Sequence, residues 1–217
     1  MKIKFLIVAI TFIALAVLGA AGFFVYKTIT KPEIQKEESP VVIGEAGSST
    51  EAEVLRETRL IKDDFEITLP PGWQEATSTA EGFLLLAFDA QEDISGGNFQ
   101  KLGFRTNLSI KSDDLSKYSS LDTLEKYVES MKVSLIQAVS GISFIQEEQK
   151  VINGLQTISI ECLSRQEETD FKTLIVFVKG NDSIVHAISL NTFQSSWESY
   201  KNAFEQIAQS FKLKYKI

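Results

Sequence analysis

His186 is the only histidine in the chain, so proton transfer by an imidazole could occur only there. A Ser-His-Asp arrangement needs a histidine within hydrogen-bond reach of a nucleophile. Nothing in the sequence identifies that serine. His186 instead shares its strand periodicity with Ile184 and Ile188, and this pattern predicts a satisfied histidine in or near the core.

Cys162 is the only cysteine, so an intramolecular disulfide is excluded. It alternates in step with Ile158 and Ile160, which predicts an inert, buried thiol. Zinc sites take three or four nitrogen or sulfur ligands. One cysteine and one histidine cannot supply them. We therefore identify no catalytic residue and expect no enzymatic activity.

Carboxylates are more abundant and fall into four clusters. The clusters are Asp89, Glu92 and Asp93; Asp113 and Asp114; Glu147 and Glu148; and Glu167, Glu168 and Asp170. None follows the D-x-D-x-D-G spacing of a calcium loop, so solvated surface charge is the general interpretation. The first cluster is the candidate metal site, because three carboxylates could gather a hard cation weakly. Calcium is the only cofactor that the sequence suggests.

That cluster opens a polar segment, Asp89–Gly103, that contains Gly96-Gly97 and predicts a long surface loop. It exceeds the usual length of a connection, and binding residues often lie on such loops. We therefore expect any partner-binding surface here. Deleting Gln91–Gly97 should leave folding intact and weaken the interaction.

Residues 1–27 suit a membrane anchor. Thr11 is the only polar side chain from Phe5 to Tyr26, and a helix of this length crosses a bilayer core of about 30 Å. Gly19-Ala20-Ala21 leaves a cleaved signal peptide as the alternative. The lysines before and after the span are nearly equal in number, so the positive-inside rule gives only a weak preference for its orientation. We favour a cytoplasmic N-terminus with the soluble domain outside the cytoplasm.

Charge and composition divide the remaining chain. Lys2 and Lys4 are the only charged residues before residue 27. The rest of the chain therefore contains 20 of the 22 basic residues and all 29 acidic ones, and its net charge is about −9. Nucleic-acid binding, which needs clustered cations, is not expected. Residues 28–60 mix Pro, Gly, Ser and Glu and predict a flexible acidic linker, in which residues 53–62 suit a short helix. Residues 61–217 form the predicted domain.

Periodicity predicts the elements of this domain. An alternating strand at Phe65–Leu69 ends at Pro70-Pro71-Gly72, and later strands follow at residues 83–88, 108–110, 142–148, 156–163, 171–179 and 183–190. One amphipathic helix begins after a cap at Ser119 or Ser120 and stops at Gly141. A second carries Trp197, Tyr200, Phe204, Ile207 and Phe211 on its buried side. Trp73 is also expected to lie in the core. Short turns between strands predict a mostly antiparallel sheet, and two helices would cover it as a three-layer α/β/α sandwich of the α+β class.

Four segments together resemble the PsbP family and its relatives, which include bacterial DcrB-like envelope proteins and the nuclear-import factor Mog. They are FEITLPPGW (65–73), SLDTLEKYV (120–128), VINGLQTISIE (151–161) and WESYKNAFEQIAQSFK (197–212). The resemblance covers residues 62–215. It implies the same sandwich fold, with no known enzymatic activity in most members. In photosynthetic members it implies an extrinsic photosystem II subunit that helps to retain calcium and chloride.

The chain departs from photosynthetic members because it has a hydrophobic anchor, no plant-type transit peptide, no lipobox and a single histidine. Three hypotheses follow. The first is a membrane-tethered, extracytoplasmic accessory module, held through residues 5–26, that contacts another envelope protein. The second is a carrier or sensor of a small ligand or calcium, or a photosystem II-type subunit. An enzyme is the third.

Overall fold

The strands that the structure describes form two sheets in which every pair is antiparallel. A computed structural model describes residues 56–76, 82–166, 168–180 and 182–214. The membrane segment expected at residues 5–26, and the linker as far as residue 55, lie outside these ranges. None of the helices described within them is long and apolar enough to cross a bilayer.

The strands are β1 (Thr58–Ile61), β2 (Phe65–Leu69), β3 (Trp73–Glu75), β4 (Leu85–Asp89), β5 (Asn107–Asp114), β6 (Ser143–Ile152), β7 (Leu155–Gln166), β8 (Thr169–Lys179), β9 (Ile184–Phe193) and β10 (Lys212–Leu213). The helices are α1 (Gly97–Leu102), α2 (Leu124–Ala138) and α3 (Trp197–Ser210), with short 3-10 turns at Leu115–Lys117 and Gln194–Ser196.

The larger sheet has seven strands in the order β3-β4-β5-β9-β8-β7-β6, and the smaller has the order β1-β2-β10. Hairpins join β6 to β9 in sequence. The chain between β5 and β6 crosses to the far edge through α2. Asn153 (φ 51°) and Gly154 (φ 80°) form the two-residue turn between β6 and β7, which needs positive φ at both positions. The Asn153 side-chain amide also donates to the carbonyls of Gln209 and Phe211, which ties this turn to the end of α3.

Two apolar cores lie on opposite faces of the seven-stranded sheet. Strand β8 shows the division, because Leu174, Val176 and Val178 belong to one core and Ile175 and Phe177 to the other. The first core is covered by α3 and by the small sheet. The second is covered by α2. The predicted α+β sandwich around an antiparallel sheet is confirmed, with the three-stranded sheet sharing one outer layer with α3.

Several local predictions are wrong. Residues 58–61 form β1, which pairs with β2, so the described part of the helix expected at 53–62 contains a strand. The cap of α2 is Thr123, whose hydroxyl accepts a hydrogen bond from Lys126 N at 3.3 Å, and not Ser119 or Ser120. The polar loop contains helix α1. Tertiary pairing in the first case and local hydrogen bonding in the second override the sequence pattern.

Candidate functional site

The β4–β5 loop, residues 90–106 together with Asp89 at the end of β4, concentrates polar contacts between distant parts of the chain. Its first turns are built locally. Asp89 Oδ1 accepts a hydrogen bond from Gln91 N, and Asp93 Oδ1 accepts one from Ser95 N, each at 2.9 Å. Short acidic side chains favour such turns because they bond to the backbone two residues on.

Arg105 holds this part of the loop from inside. Its Nη1 donates to the carbonyl oxygens of Asp89, Ala90 and Glu92 at 3.1, 3.3 and 3.2 Å. The guanidinium also lies 5.9 Å from the centre of the Phe88 ring. A planar, permanently charged fork can serve several carbonyls at once. The loop backbone is therefore fixed by one side chain.

Glu92 points inward and joins the loop to the sheet. Its Oε2 accepts a hydrogen bond from Thr106 N and its Oε1 one from Thr106 Oγ1, both at 2.6 Å. Thr106 Oγ1 lies 2.8 Å from Thr192 Oγ1. Because the single Thr106 hydroxyl proton goes to Glu92, Thr192 is the donor in that pair. Burial raises the pKa of Glu92, and the nearby Asp89 charge adds to this, while the Thr106 hydrogen bonds oppose it.

Tyr200 of α3 closes the network. Its hydroxyl lies 2.7 Å from Asp89 Oδ2 and 3.3 Å from Glu92 Oε1, so one phenol bridges two carboxylates. Burial and these two acidic partners raise the pKa of Tyr200, which therefore stays a neutral donor. The network links β4, the loop and α3.

Aromatic packing holds the second half of the loop. Phe99 of α1 meets Phe193 with ring centres 4.4 Å apart, and Phe104 meets Phe171 and Phe193 at 5.1 and 4.8 Å. Gly103 ends α1 with φ 58°, in the left-handed conformation that glycine adopts without strain. The outer side of the loop is left to solvent. Its exposed side chains are Gln91, Asp93, Ser95, Asn98, Gln100 and Lys101.

The three candidate metal ligands separate into a pair and a single residue. Asp89 and Glu92 converge on Tyr200, whereas Asp93 turns to Ser95, whose hydrogen bonds lower the pKa of Asp93. In the part of the chain that the structure describes, no three His, Cys, Asp or Glu side chains are grouped as a metal site would require. The calcium site therefore stays a prediction, and Asp93 does not supply a third ligand beside Asp89 and Glu92.

His186 lies in the core, as its strand position predicts, with 3% of its surface exposed. Its ring contacts those of Phe65 and Phe211, with centres 6.0 and 5.5 Å away. The prediction of a satisfied side chain is wrong, because Nδ1 has no hydrogen-bond partner among the described residues. Burial lowers the pKa of His186, and the charges of Asp182 and Asp64 partly oppose this.

Cys162 is 1% exposed and packs in the core under α2, as predicted. Burial raises the pKa of its thiol to about 12, and the neighbouring Thr173 hydroxyl acts in the opposite direction. A thiol that stays protonated and shielded is a poor nucleophile.

Two grooves on the described surface are small. One groove of about 60 Å³ runs between α3 and β6–β7, with Trp197 and Leu174 in its lining, and another of about 190 Å³ lies near Thr68 and Ser210. Pockets for drug-sized ligands are usually about 300–1,000 Å³. Neither groove favours a small-molecule carrier.

Sequence reasoning named Asp89 and Glu92 but missed Arg105, Thr106 and the polar role of Tyr200. Arg105 bonds to backbone carbonyls, which leave no signature in side-chain spacing. Tyr200 carried a weak signal, because a tyrosine in a buried stripe needs a partner for its hydroxyl.

Comparisons with known proteins agree with this fold. A family model described as PsbP matches residues 61–213. The structure is similar to that of cyanobacterial PsbP (CyanoP) from Synechocystis sp. PCC 6803, at 18% identity over 77% of this chain and 98% of that one, with a TM-score of 0.54. It is also similar to LpqN of Mycobacterium tuberculosis, described as involved in cell envelope biogenesis, at 10% identity over 75% and 92%, with a TM-score of 0.51. No curated protein sequence matches the chain significantly. At these identities the two solved structures bear on the fold alone.

Proposed function

The chain belongs to the PsbP family, and from that membership we propose a non-enzymatic accessory module of the cell envelope that binds another protein through the β4–β5 loop. Residues 5–26 tether it to the membrane, and residues 28–57 let the domain reach its partner. The domain lies on the extracytoplasmic side.

The observation that carries this proposal is the Arg105 contact with three loop carbonyls. A surface that is already ordered loses less conformational entropy on binding, so more of its contact energy appears as affinity. Glu92 and Phe104 hold the same loop from the sheet side. Its exposed residues, such as Gln100 and Lys101, are thus presented in one arrangement.

The tether is tested by placing tags at both ends of the full-length chain and treating intact cells with protease. We expect the C-terminal tag to be digested and the protein to sediment with membranes after a high-salt wash. A protected C-terminal tag would reverse the orientation. A mature protein that lacks residues 1–21 would show that this segment is a cleaved signal peptide and that the protein is secreted.

The binding surface is tested by photo-crosslinking in native membranes. A photoreactive residue at Gln100, on the outer side of α1, should form one discrete adduct, and the same residue at the exposed Glu125 of α2 should not form it. Arg105→Met, which releases the loop, should reduce the Gln100 adduct at equal protein level. An adduct that forms equally at Glu125, or that survives Arg105→Met unchanged, would contradict the proposal.

The deletion of Gln91–Gly97 is no longer a clean test, because it would remove Glu92 and its hydrogen bonds to Thr106. Paired substitutions of exposed residues serve better. Gln100→Ala with Lys101→Ala should weaken the interaction without changing Tm.

Calcium binding is a second candidate function, favoured by the approach of Asp89 and Glu92 to one phenol. Calorimetry of the full-length chain should then give heat at millimolar calcium that Glu92→Gln abolishes. Absence of heat would remove this candidate and leave the protein-binding proposal untouched.

A further inference from the structure

Strand β6 is the last described strand of the seven-stranded sheet, and its outer side is open as far as the structure describes the chain. It pairs with β7 along its length, and no described strand pairs with its other side. All its residues before Ile152 are exposed or half-buried. An open edge presents backbone donors and acceptors that can pair with another strand.

Contacts with β7 define which peptide groups face outward. Thr157 Oγ1 donates to the carbonyl of Lys150 at 2.8 Å and Ser159 Oγ to that of Glu148 at 3.3 Å, so these carbonyls face β7. In an antiparallel ladder, successive residues direct their backbone groups to alternate sides. The N–H and C=O groups of Glu147, Gln149 and Val151 therefore face the open side.

The part of this edge that can pair regularly with another strand is short and has a single central residue. The β6–β7 register shifts between Phe144 and Gln146, and the turn begins after Ile152. Bulges bend a strand and interrupt its pairing. The regular segment is thus Gln146–Ile152, and Gln149 is its midpoint.

Charge selects the same centre. If two copies pair antiparallel about Gln149, Glu148 of each copy lies opposite Lys150 of the other, and Gln149 faces its own equivalent. Centring the pair on Glu147 or Glu148 would place two carboxylates face to face, and centring it on Lys150 would place two ammonium groups together. Such like-charge cross-strand pairs are destabilising.

We propose that two copies of the chain associate through β6, antiparallel, about a twofold axis at Gln149. About six backbone hydrogen bonds would form, from Glu147, Gln149 and Val151 of each copy. Within one copy Glu148 and Lys150 already form an ion pair at 2.9 Å with both side chains well exposed. Such surface pairs contribute little, so exchanging it for pairs across the interface costs little. The interface lies on β6, four strands away from β5 in the sheet order, so the proposal does not depend on partner binding through the β4–β5 loop.

Cysteine crosslinking of the full-length chain in membranes tests the axis. Opposed residues in a hydrogen-bonded antiparallel pair have Cα atoms about 5.5 Å apart, within the roughly 4.4–6.8 Å range of disulfides. Gln149→Cys should give a disulfide-linked dimer under mild oxidation. Glu125→Cys, an exposed position on α2, is the matched control and should remain monomeric. The native Cys162 is buried and does not compete.

A charge exchange tests the register. Sedimentation of the purified full-length chain over a concentration series should show a reversible dimer. Glu148→Lys and Lys150→Glu should each raise the dimer dissociation constant about tenfold or more, because each brings like charges together. The double variant should return it to the wild-type range. Gln149→Pro, which removes an outward N–H without breaking a β7 bond, should abolish the dimer at unchanged Tm.

A chain that is monomeric at every concentration and uncrosslinked at Gln149→Cys would overturn the proposal. So would a dimer whose dissociation constant both single charge variants leave unchanged, or one that the double variant fails to restore while Tm is retained.

Discussion

The Tyr200 hydroxyl donates a 2.7 Å hydrogen bond to Asp89 Oδ2, although 111 positions separate the two residues in sequence. This contact connects helix α3 to the end of β4. It also places a neutral donor between two carboxylates that would otherwise repel each other. The shape of the β4–β5 loop therefore depends on a residue of the C-terminal helix.

Tyr200→Phe should lower the free energy of unfolding by about 1–2 kcal/mol, because it removes a partly buried donor to Asp89 and Glu92. Chemical denaturation of the purified protein measures this. Tyr118→Phe is the matched control, since no described hydrogen bond uses the Tyr118 hydroxyl, and it should change the value little. Equal effects of both substitutions would contradict the role given to Tyr200.

The contribution of Glu92 to the free energy of unfolding should fall as pH rises. Its pKa in the folded protein is raised above the unfolded value of 4.5, so between those two values the folded state binds more protons than the unfolded state. The stability of wild type relative to Glu92→Gln should therefore decrease from pH 4.5 upward. Denaturant titrations of both proteins at several pH values would measure the difference.

Asp93 provides a control of opposite sign for that experiment. Hydrogen bonds from Ser95 hold its pKa below the usual 3.8, so its contribution is present above that pH and is lost on acidification. Wild type relative to Asp93→Asn should lose stability as pH falls below about 4. Parallel trends for the two variants would refute the assignment at Glu92.

Arg105→Met should loosen the loop more than it destabilises the protein. The three carbonyls that Arg105 serves would turn to solvent, so amide hydrogen exchange across residues 90–96 should accelerate while β8 exchange changes little. Lys101→Met, which removes an exposed cation of α1, is the control. Unchanged loop exchange in Arg105→Met would show that Glu92 and Tyr200 suffice to hold the loop.

His186 should make the protein sensitive to mild acid. Its folded pKa is lowered below 6.5 by burial, so it contributes stability above that pH, and this is lost as pH falls through the folded pKa. Wild type should lose stability relative to His186→Leu, which cannot be protonated, as pH falls below about 6.5. Carboxylates common to both proteins cancel in the comparison. A constant difference across this range would exclude a lowered pKa.

Alternation and helical spacing predicted the elements that bury one clear face. Strand β2 and the two long helices carry regular apolar positions on one face, and all are found. Strand β8 is buried on both faces, and its continuous apolar run predicted it. The architecture followed from short turns between strands, which allow only antiparallel neighbours.

Elements without such a face were missed or shortened. The side chains of strand β1 are mostly exposed, so no apolar pattern marks it in the sequence. It forms because its backbone pairs with that of β2. Strand β6 was expected to end at Glu148 but runs on to Ile152, through polar residues that a sequence pattern reads as loop. At the site, the acidic residues were visible, but the contacts of Arg105 and Tyr200 depend on tertiary placement that spacing does not encode.

Strand β2 lies between the first and the last of the described strands. β1 begins opposite Leu69, whereas β10 ends opposite Phe65. The chain therefore enters this small sheet at one end of β2 and leaves at the other. Tension applied between the two ends would load β1 and β10 in shear against β2, where several hydrogen bonds must break together, and would bypass the larger sheet until the smaller one yields.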